Sequence, residues 1–308
     1  YVFKAGGFDA YMIDFTNLAA NEWYQSIIIE NMLKMGLSGW MADFGEWLPL
    51  DAQLYNGVDP KSYHNQYPVD WIKLNHEALE KSGFEDILIF NRSGFNNSSK
   101  YSTSFWVGDQ MANYGVNDGM LSAICALNSS GMSGIGINHT DIGGYTAIKL
   151  GPIKHLRDKD ILFRWMEMAA FTPIFRTHEG LRPDDMSQFY SDAESQAFFA
   201  KMSQIHASLQ PIFEKLAMEA NTSGIPIIRH PYLEFPEDKN TYSLRHQFML
   251  GDSLMVIPTT VANSETNTGY LPKGKWQHFF TNEIVEGGRF VKVESPYGTP
   301  TVFMRLKE

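Results

Sequence analysis

Leu37-Ser38-Gly39-Trp40-Met41-Ala42-Asp43-Phe44-Gly45-Glu46 is the stretch on which the reading of this chain turns. Residues 37–42 are apolar and short enough for a buried strand; they deliver one carboxylate into a turn and a second one shortly after. A polar residue at the carboxyl end of a buried strand is how a parallel barrel presents reactive groups. The pattern recurs: 87–90 ends in Asn91-Arg92, 105–108 in Asp109-Gln110, 135–137 in Asn138-His139-Thr140-Asp141, and 174–175 in Arg176-Thr177-His178. Apolar runs that each end in acid, base or hydrogen-bonding residues read as spokes of one active site.

Helices are expected between these runs. Residues 23–35 form one, closed by Gly36; 68–82 form another, opened by Pro68 and closed by Gly83. Further helices are expected at 116–130, at 158–170, where Ile161, Leu162, Trp165 and Met168 fall at helical spacing, and at 192–220, interrupted at Pro211. Ahead of them lie a short strand at 11–13 and a helix entry capped by Asn17 or Asn21. The polar stretch 48–67 is long enough to be a functional insert or small subdomain. From Gly224 onward the period changes: 225–229, 242–248, 253–259, 275–280 and 301–305 are short runs separated by turn residues, which reads as a small antiparallel β domain. The expected division is 1–222 and 223–308. Strand and helix alternating up to 222 predict a parallel sheet. About five strands can be counted where a closed (β/α)8 barrel needs eight, so the count fits either an open doubly wound sheet or a barrel whose first strands lie ahead of residue 1.

A chain of 308 residues with 44% hydrophobic residues can bury a sizeable core. The formal charge of −10 is spread without a basic tract, which argues against nucleic acid as a partner. No apolar stretch has the length a bilayer requires, so no membrane partner is expected. The single cysteine, Cys125, lies in an apolar helical run and reads as a small buried hydrophobe, leaving neither a disulfide nor a thiolate metal site. Asn91-Arg92-Ser93 and Asn138-His139-Thr140 match glycosylation triplets, yet both fall in the expected site loops.

Asp43 and Asp109 stand at the mouths of different strands. Hydrolysis of a glycosidic bond needs two such acids, one ionised to attack the sugar and one protonated to donate to the leaving oxygen. Phe105 and Trp106 beside Asp109 favour the protonated donor, and Arg92 and Arg176 are charge partners for Asp43. Capping of two loops would explain both aspartates equally well on spacing alone. The wording around them is more specific. Trp40 to Glu46 and Trp106-Val107-Gly108-Asp109-Gln110 resemble the nucleophile and acid/base segments of the family 31 glycoside hydrolases, retaining α-glycosidases built on a (β/α)8 barrel. Within that family, residues 39–46, Lys100-Tyr101-Ser102-Thr103, Asp141-Ile142-Gly143-Gly144-Tyr145-Thr146 and Arg176-Thr177-His178-Glu179-Gly180 are similar to the sulfoquinovosidases.

The resemblance implies roles for individual residues. Asp43 would form a glycosyl ester and Asp109 would protonate the departing alcohol and then activate water, with net retention and carboxyls about 5–5.5 Å apart. Arg92 and His178 would bond sugar hydroxyls, Tyr145 would help recognise a sulfonate through water, Trp106 would offer an aromatic surface, and Glu46 would brace the nucleophile loop. Asp141 reads as a loop organiser and His139 as structural. Both chemical roles rest on carboxylates, so no metal or other cofactor is expected. The implied substrate is a sulfoquinovoside such as sulfoquinovosyl glycerol, the implied location cytoplasmic, and a homo-oligomer is compatible with the reading. Two alternatives keep part of it: a neutral α-glucosidase of the same family, and a non-catalytic carbohydrate-binding fragment. In the sulfoquinovosidases the main sulfonate clamp, an N-terminal β domain and the first barrel strands lie upstream of the nucleophile, and this sequence departs from them there.

Overall fold

The computed structural model describes residues 2–5, 8–102, 104–178 and 182–306. They fall in two compact units, 1–106 and 107–308. Thr103, Glu179 and Gly180, which close two of the motifs above, lie outside the described residues.

In the first unit, β1 (Phe3–Ala5) and β2 (Phe8–Ala10) pair antiparallel. The strand expected at 11–13 is instead an extended link, anchored where Tyr67 Oη donates to the Ile13 carbonyl at 2.9 Å. Helix α1 (Leu18–Ile28) begins earlier than its apolar periodicity suggested because Asn17 Oδ1 accepts from the Ala19 amide at 3.0 Å. Its last turn widens to a π-turn at Ile29–Leu33, and Gly36 (φ +89°) reverses the chain. Strand β3 (Gly39–Ala42) follows. The long polar stretch contains one short helix, α2 (Pro60–Tyr63), capped by Asp59. Then come α3 (Tyr67–Ser82), closed by left-handed Gly83, β4 (Leu88–Asn91) and β5 (Ser104–Trp106). Helices α1 and α3 bury Ile28, Leu33, Leu74 and Ala78 around Phe15, whose ring stacks on Tyr67 with centroids 4.6 Å apart.

Strands β3, β4 and β5 are parallel. Their register sets Met41 beside Phe90 and Ala42 beside Asn91, so the next residue of each strand, Asp43 and Arg92, leaves the sheet at the same level. Gly39 permits this pairing: a Cβ there would lie 2.2 Å from the Leu88 carbonyl oxygen.

The second unit begins where the Val107 amide donates to the His139 carbonyl. It contains α4 (Met120–Met132), β6 (Ile137–His139), a hairpin of β7 (Ile148–Leu150) and β8 (Ile153–His155), and α5 (Lys159–Ala169), capped by Asp158. The apolar run at 174–175 is not a strand. Pro173 breaks it, and Thr172 Oγ1 bonds locally to the Ala169 and Ile174 carbonyls. The single long helix expected at 192–220 is two, α6 (Ala193–Ser208) and α7 (Gln210–Ser223), with Pro211 in the first turn of the second and left-handed Gly224 ending it. Cys125 is half-buried rather than enclosed; its Sγ lies 3.5 Å from the Arg245 carbonyl, and burial raises its pKa.

Beyond Gly224 the chain forms β9 (Ile228–Arg229), α8 (Pro231–Glu234), β10 (Phe248–Leu250), β11 (Leu254–Ile257), β12 (Thr266–Leu271), β13 (Lys275–His278), β14 (Ile284–Glu286), β15 (Arg289–Glu294) and β16 (Thr301–Leu306). Six of them make one antiparallel sheet in the order β14-β13-β16-β11-β10-β9, while β12 and β15 form a separate ribbon. The strand expected across 242–248 starts only at Phe248, because Asp238 caps a turn at Lys239–Ser243. Alternation along the central strands is decisive. Phe248, Leu250, Leu254, Val256 and Val302 join a core with α4 and α5, whereas Met249, Met255, Ile257 and Phe303 join Leu271, Trp276 and Val291 on the other face. Among the described residues no helix is long and apolar enough to cross a membrane.

Candidate active site

Two groups of the expected residues assemble, one in each unit. In the first, Asp43 Oδ1 accepts from the Phe44 amide at 2.8 Å and lies 3.3 Å from Arg92 Nη1. The other arm of the same guanidinium pairs with Glu46 Oε1. Arg92 is thereby shared between two carboxylates, with its side chain only 15% exposed. Asp43 Oδ2 has no hydrogen-bond partner among the described residues. Trp71 Nε1 donates to the Asp43 carbonyl at 3.1 Å, fixing the backbone from which the carboxylate projects.

The turn after Asp43 is held in an uncommon conformation. Phe44 has φ +60°, a region a bulky residue rarely occupies, and Gly45 follows at φ +104°. Three contacts offset the strain: the Phe44 amide reaches the Asp43 carboxylate, its carbonyl accepts from Ser93 Oγ at 2.5 Å, and its ring lies 4.4 Å beneath the Arg92 guanidinium. Half-exposed Trp47 packs edge-on against that ring at 5.1 Å. Phe44, Trp71 and Ser93 were not singled out in the sequence, where a left-handed phenylalanine carries no signal. Trp106 is 2% exposed and meets Phe90 edge-on at 5.6 Å, so within this unit its ring is a packing surface.

In the second unit, Gly108 (φ +92°) turns the chain into half-buried Asp109. The segment after it is clamped to 144–146: Thr146 Oγ1 donates to the Asp109 carbonyl at 2.8 Å, and the Tyr145 and Thr146 amides both donate to the Gln110 carbonyl at 2.9 Å. Gly144 (φ +76°) makes room, since a Cβ there would lie 2.8 Å from the Met111 carbonyl oxygen. Buried Arg157 supports the far side of the loop, donating to the Gly144 carbonyl at 3.0 Å and the Ile142 carbonyl at 3.2 Å. Tyr145 stacks on His178, centroids 4.7 Å apart and planes inclined by 18°. Arg176, expected as a partner of Asp43, is ion-paired with fully buried Asp141. This places Asp141 as the loop's internal anchor. His139 is fully buried as well.

The chain matches the model of the glycosyl hydrolases family 31 TIM-barrel domain over residues 2–216 and that of the glycosyl hydrolase family 31 C-terminal domain over 224–307. It is 42% identical over 306 residues to a sulfoquinovosidase of Escherichia coli, covering 99% of this chain and 44% of that protein. A sulfoquinovosidase of Agrobacterium fabrum is 41% identical over 303 residues, covering 97% of this chain and 45% of its own length. The chain thus spans less than half of the curated relatives it matches. A family 31 sulfoquinovosidase from E. rectale in complex with an aza-sugar inhibitor superimposes with a TM-score of 0.95 at 37% identity, over 100% of this chain and 46% of the other. A Flavobacterium johnsoniae family 31 dextranase complexed with glucose gives 0.85 at 27% identity, over 99% of this chain and 38% of the other. The expected resemblance is borne out: this chain belongs to glycosyl hydrolase family 31, with the family's TIM-barrel domain followed by its C-terminal β domain.

Proposed function

We propose that the protein carrying this chain is a retaining α-glycosidase acting on sulfoquinovosides, releasing sulfoquinovose and an alcohol by double displacement. The observation that carries the reading is the asymmetry of Asp43. One carboxylate oxygen is held by the Phe44 amide and Arg92, and the other has no partner among the described residues. A nucleophilic carboxylate needs that arrangement: one oxygen fixed by donors, the other left to attack. In this reading Asp43 attacks the anomeric carbon, the bond to the leaving oxygen breaks, and Asp109 donates its proton to that oxygen. Asp109 then takes a proton from water as the water attacks the anomeric carbon and the bond from that carbon to Asp43 breaks. Arg92 and Glu46 orient the nucleophile, and in this reading the Arg92 guanidinium also bonds sugar hydroxyls. The Tyr145–His178 stack presents a phenol and an imidazole from one rigid pair, suited to hydroxyl and sulfonate oxygens. The likeness to three sulfoquinovosidases supports the choice of sugar. We also place the barrel in residues 1–222 and the β domain in 223–308, a division supported by the left-handed end of α7 at Gly224.

The test compares hydrolysis of nitrophenyl α-glucoside with that of its sulfonate analogue by the full-length protein, following the anomer first released by NMR. Preferential turnover of the sulfonate with retention is expected, and Asp43→Asn and Asp109→Asn should each abolish it. Comparable rates on both substrates favour a neutral α-glucosidase. Unchanged turnover by Asp43→Asn would end the catalytic assignment.

A further inference from the structure

The β region carries a cleft of about 530 Å³ with no role in the proposed hydrolysis, lined by residues 234–238, Tyr270, Pro272, Lys273, Gly288 and Arg305. That volume is within the usual range for small-molecule sites, roughly 300–1,000 Å³. Its walls combine three kinds of surface. Arg305 lies over the Phe235 ring at 4.6 Å, which fixes the plane of its guanidinium, and neither Arg305 nor Lys273 has an ion-pair partner among the described residues. Asp238 is held in place by Tyr270 Oη at 2.7 Å and Asn240 Nδ2 at 2.9 Å, and exposed Glu237 adjoins it. Glu234 is neutralised by Arg229 at 2.6 Å. Phe235, Pro236 and Pro272 contribute apolar groups, Tyr270 reaches the lining from a nearly buried position, and Gly288 (φ +77°) leaves part of the lining without a side chain.

The charges that remain balance: Lys273 and Arg305 against Glu237 and Asp238. A strongly anionic ligand would meet two carboxylates, a cationic one would meet two cations, and a purely apolar one would leave the guanidinium donors unmatched. A pyranose ring suits all three surfaces. Its hydroxyls act as donors to Asp238 and Glu237 and as acceptors from Arg305 and Lys273, while its C–H groups lie against Phe235 and Pro236. We propose that this cleft is a second carbohydrate site, taking a neutral hexopyranoside unit independently of catalysis.

Trp276 provides a local reporter, because its buried indole N–H donates at 2.8 Å to the carbonyl of Pro272, a lining residue. The experiment titrates methyl α-glucoside into full-length, fluorotryptophan-labelled protein in an Asp43→Asn background, so that turnover does not consume the probe, and follows the Trp276 resonance. A saturable shift is expected. It should weaken at least about tenfold in Arg305→Gln and more modestly in Lys273→Ala, an exposed position whose substitution leaves folding intact. Absence of a saturable Trp276 shift overturns the proposal, as does a shift indifferent to both substitutions or one produced by inorganic sulfate and not by the glucoside. The reporter is separate from hydrolysis, so failure here leaves the catalytic reading standing, and loss of catalysis leaves this site standing.

Discussion

Replacing Arg92 by methionine removes the one cation shared by Asp43 and Glu46 while keeping most of the side chain's apolar length. Hydrogen bonds to charged groups ordinarily contribute about 1.5–3 kcal/mol each. Here the Asp43 and Glu46 side chains are 30% and 34% exposed, so water replaces part of what is lost. Taking the two contacts together at about half strength gives about 1.5–3 kcal/mol. If that energy positions the nucleophile in the transition state, kcat/KM falls roughly 10- to 150-fold. The assay is steady-state hydrolysis of a nitrophenyl sulfoquinovoside by the full-length protein, with thermal unfolding measured in parallel. Arg92→Lys should recover less than half of the lost energy, because an ammonium is a point charge that cannot bridge two carboxylates as a planar fork does. A loss below about threefold in Arg92→Met, or full recovery by lysine, would refute the view that the guanidinium organises this turn.

Phe44→Asn should retain more kcat/KM than Phe44→Val, since asparagine tolerates the left-handed conformation and a β-branched residue does not; equal losses would remove strain from the account. Arg164→Ala should strand Glu167, 2% exposed, which now pairs with Arg164 at 2.8 Å and accepts from the Gly298 amide at 2.6 Å. Breaking a buried pair costs about 3–5 kcal/mol, or roughly 6–20 °C in Tm for a unit of this size, and calorimetry showing no change would contradict it. Burial lowers the pKa of His206, His230 and His278. Because the unfolded chain takes up these protons first, below about pH 6.5, stability should be complete above that pH and fall as the solution is acidified towards the folded values. Urea midpoints at about pH 7 and pH 5 and constant salt check this, and His206→Phe should flatten the dependence.

The parallel elements were legible because short apolar runs bounded by polar residues leave few options: β3, β4 and β5 all start or end close to the expected positions. Caps were legible for the same local reason, as at Asp158, Gly83 and Gly224. Non-local pairing was harder to read. Residues 266–271 contain a glycine and two threonines and resemble a turn, yet they make a strand because β15 supplies the whole ladder. The run at 174–175 looked like a strand and is not one, since Pro173 and Thr172 turn it first. In the candidate site, the carboxylates and Arg92 were legible from their place after apolar runs. The left-handed Phe44, the Ser93 hydroxyl that holds it and the buttress at Arg157 were not, because each acts through a contact distant in sequence.

The double-sided burial of β10, β11 and β16 sets an order of assembly. Helices α4 and α5 rest on Phe248, Leu250, Leu254, Val256 and Val302, all of which follow those helices by many residues in the sequence. Synthesis from the amino end therefore delivers Asp109 and its loop long before the surface that closes the core behind them, and this half of the molecule waits on the ribosome with its apolar underside wet. A nonsense codon between Gly224 and Val302 would consequently not trim an appendage; it would take part of the floor from under α4 and α5.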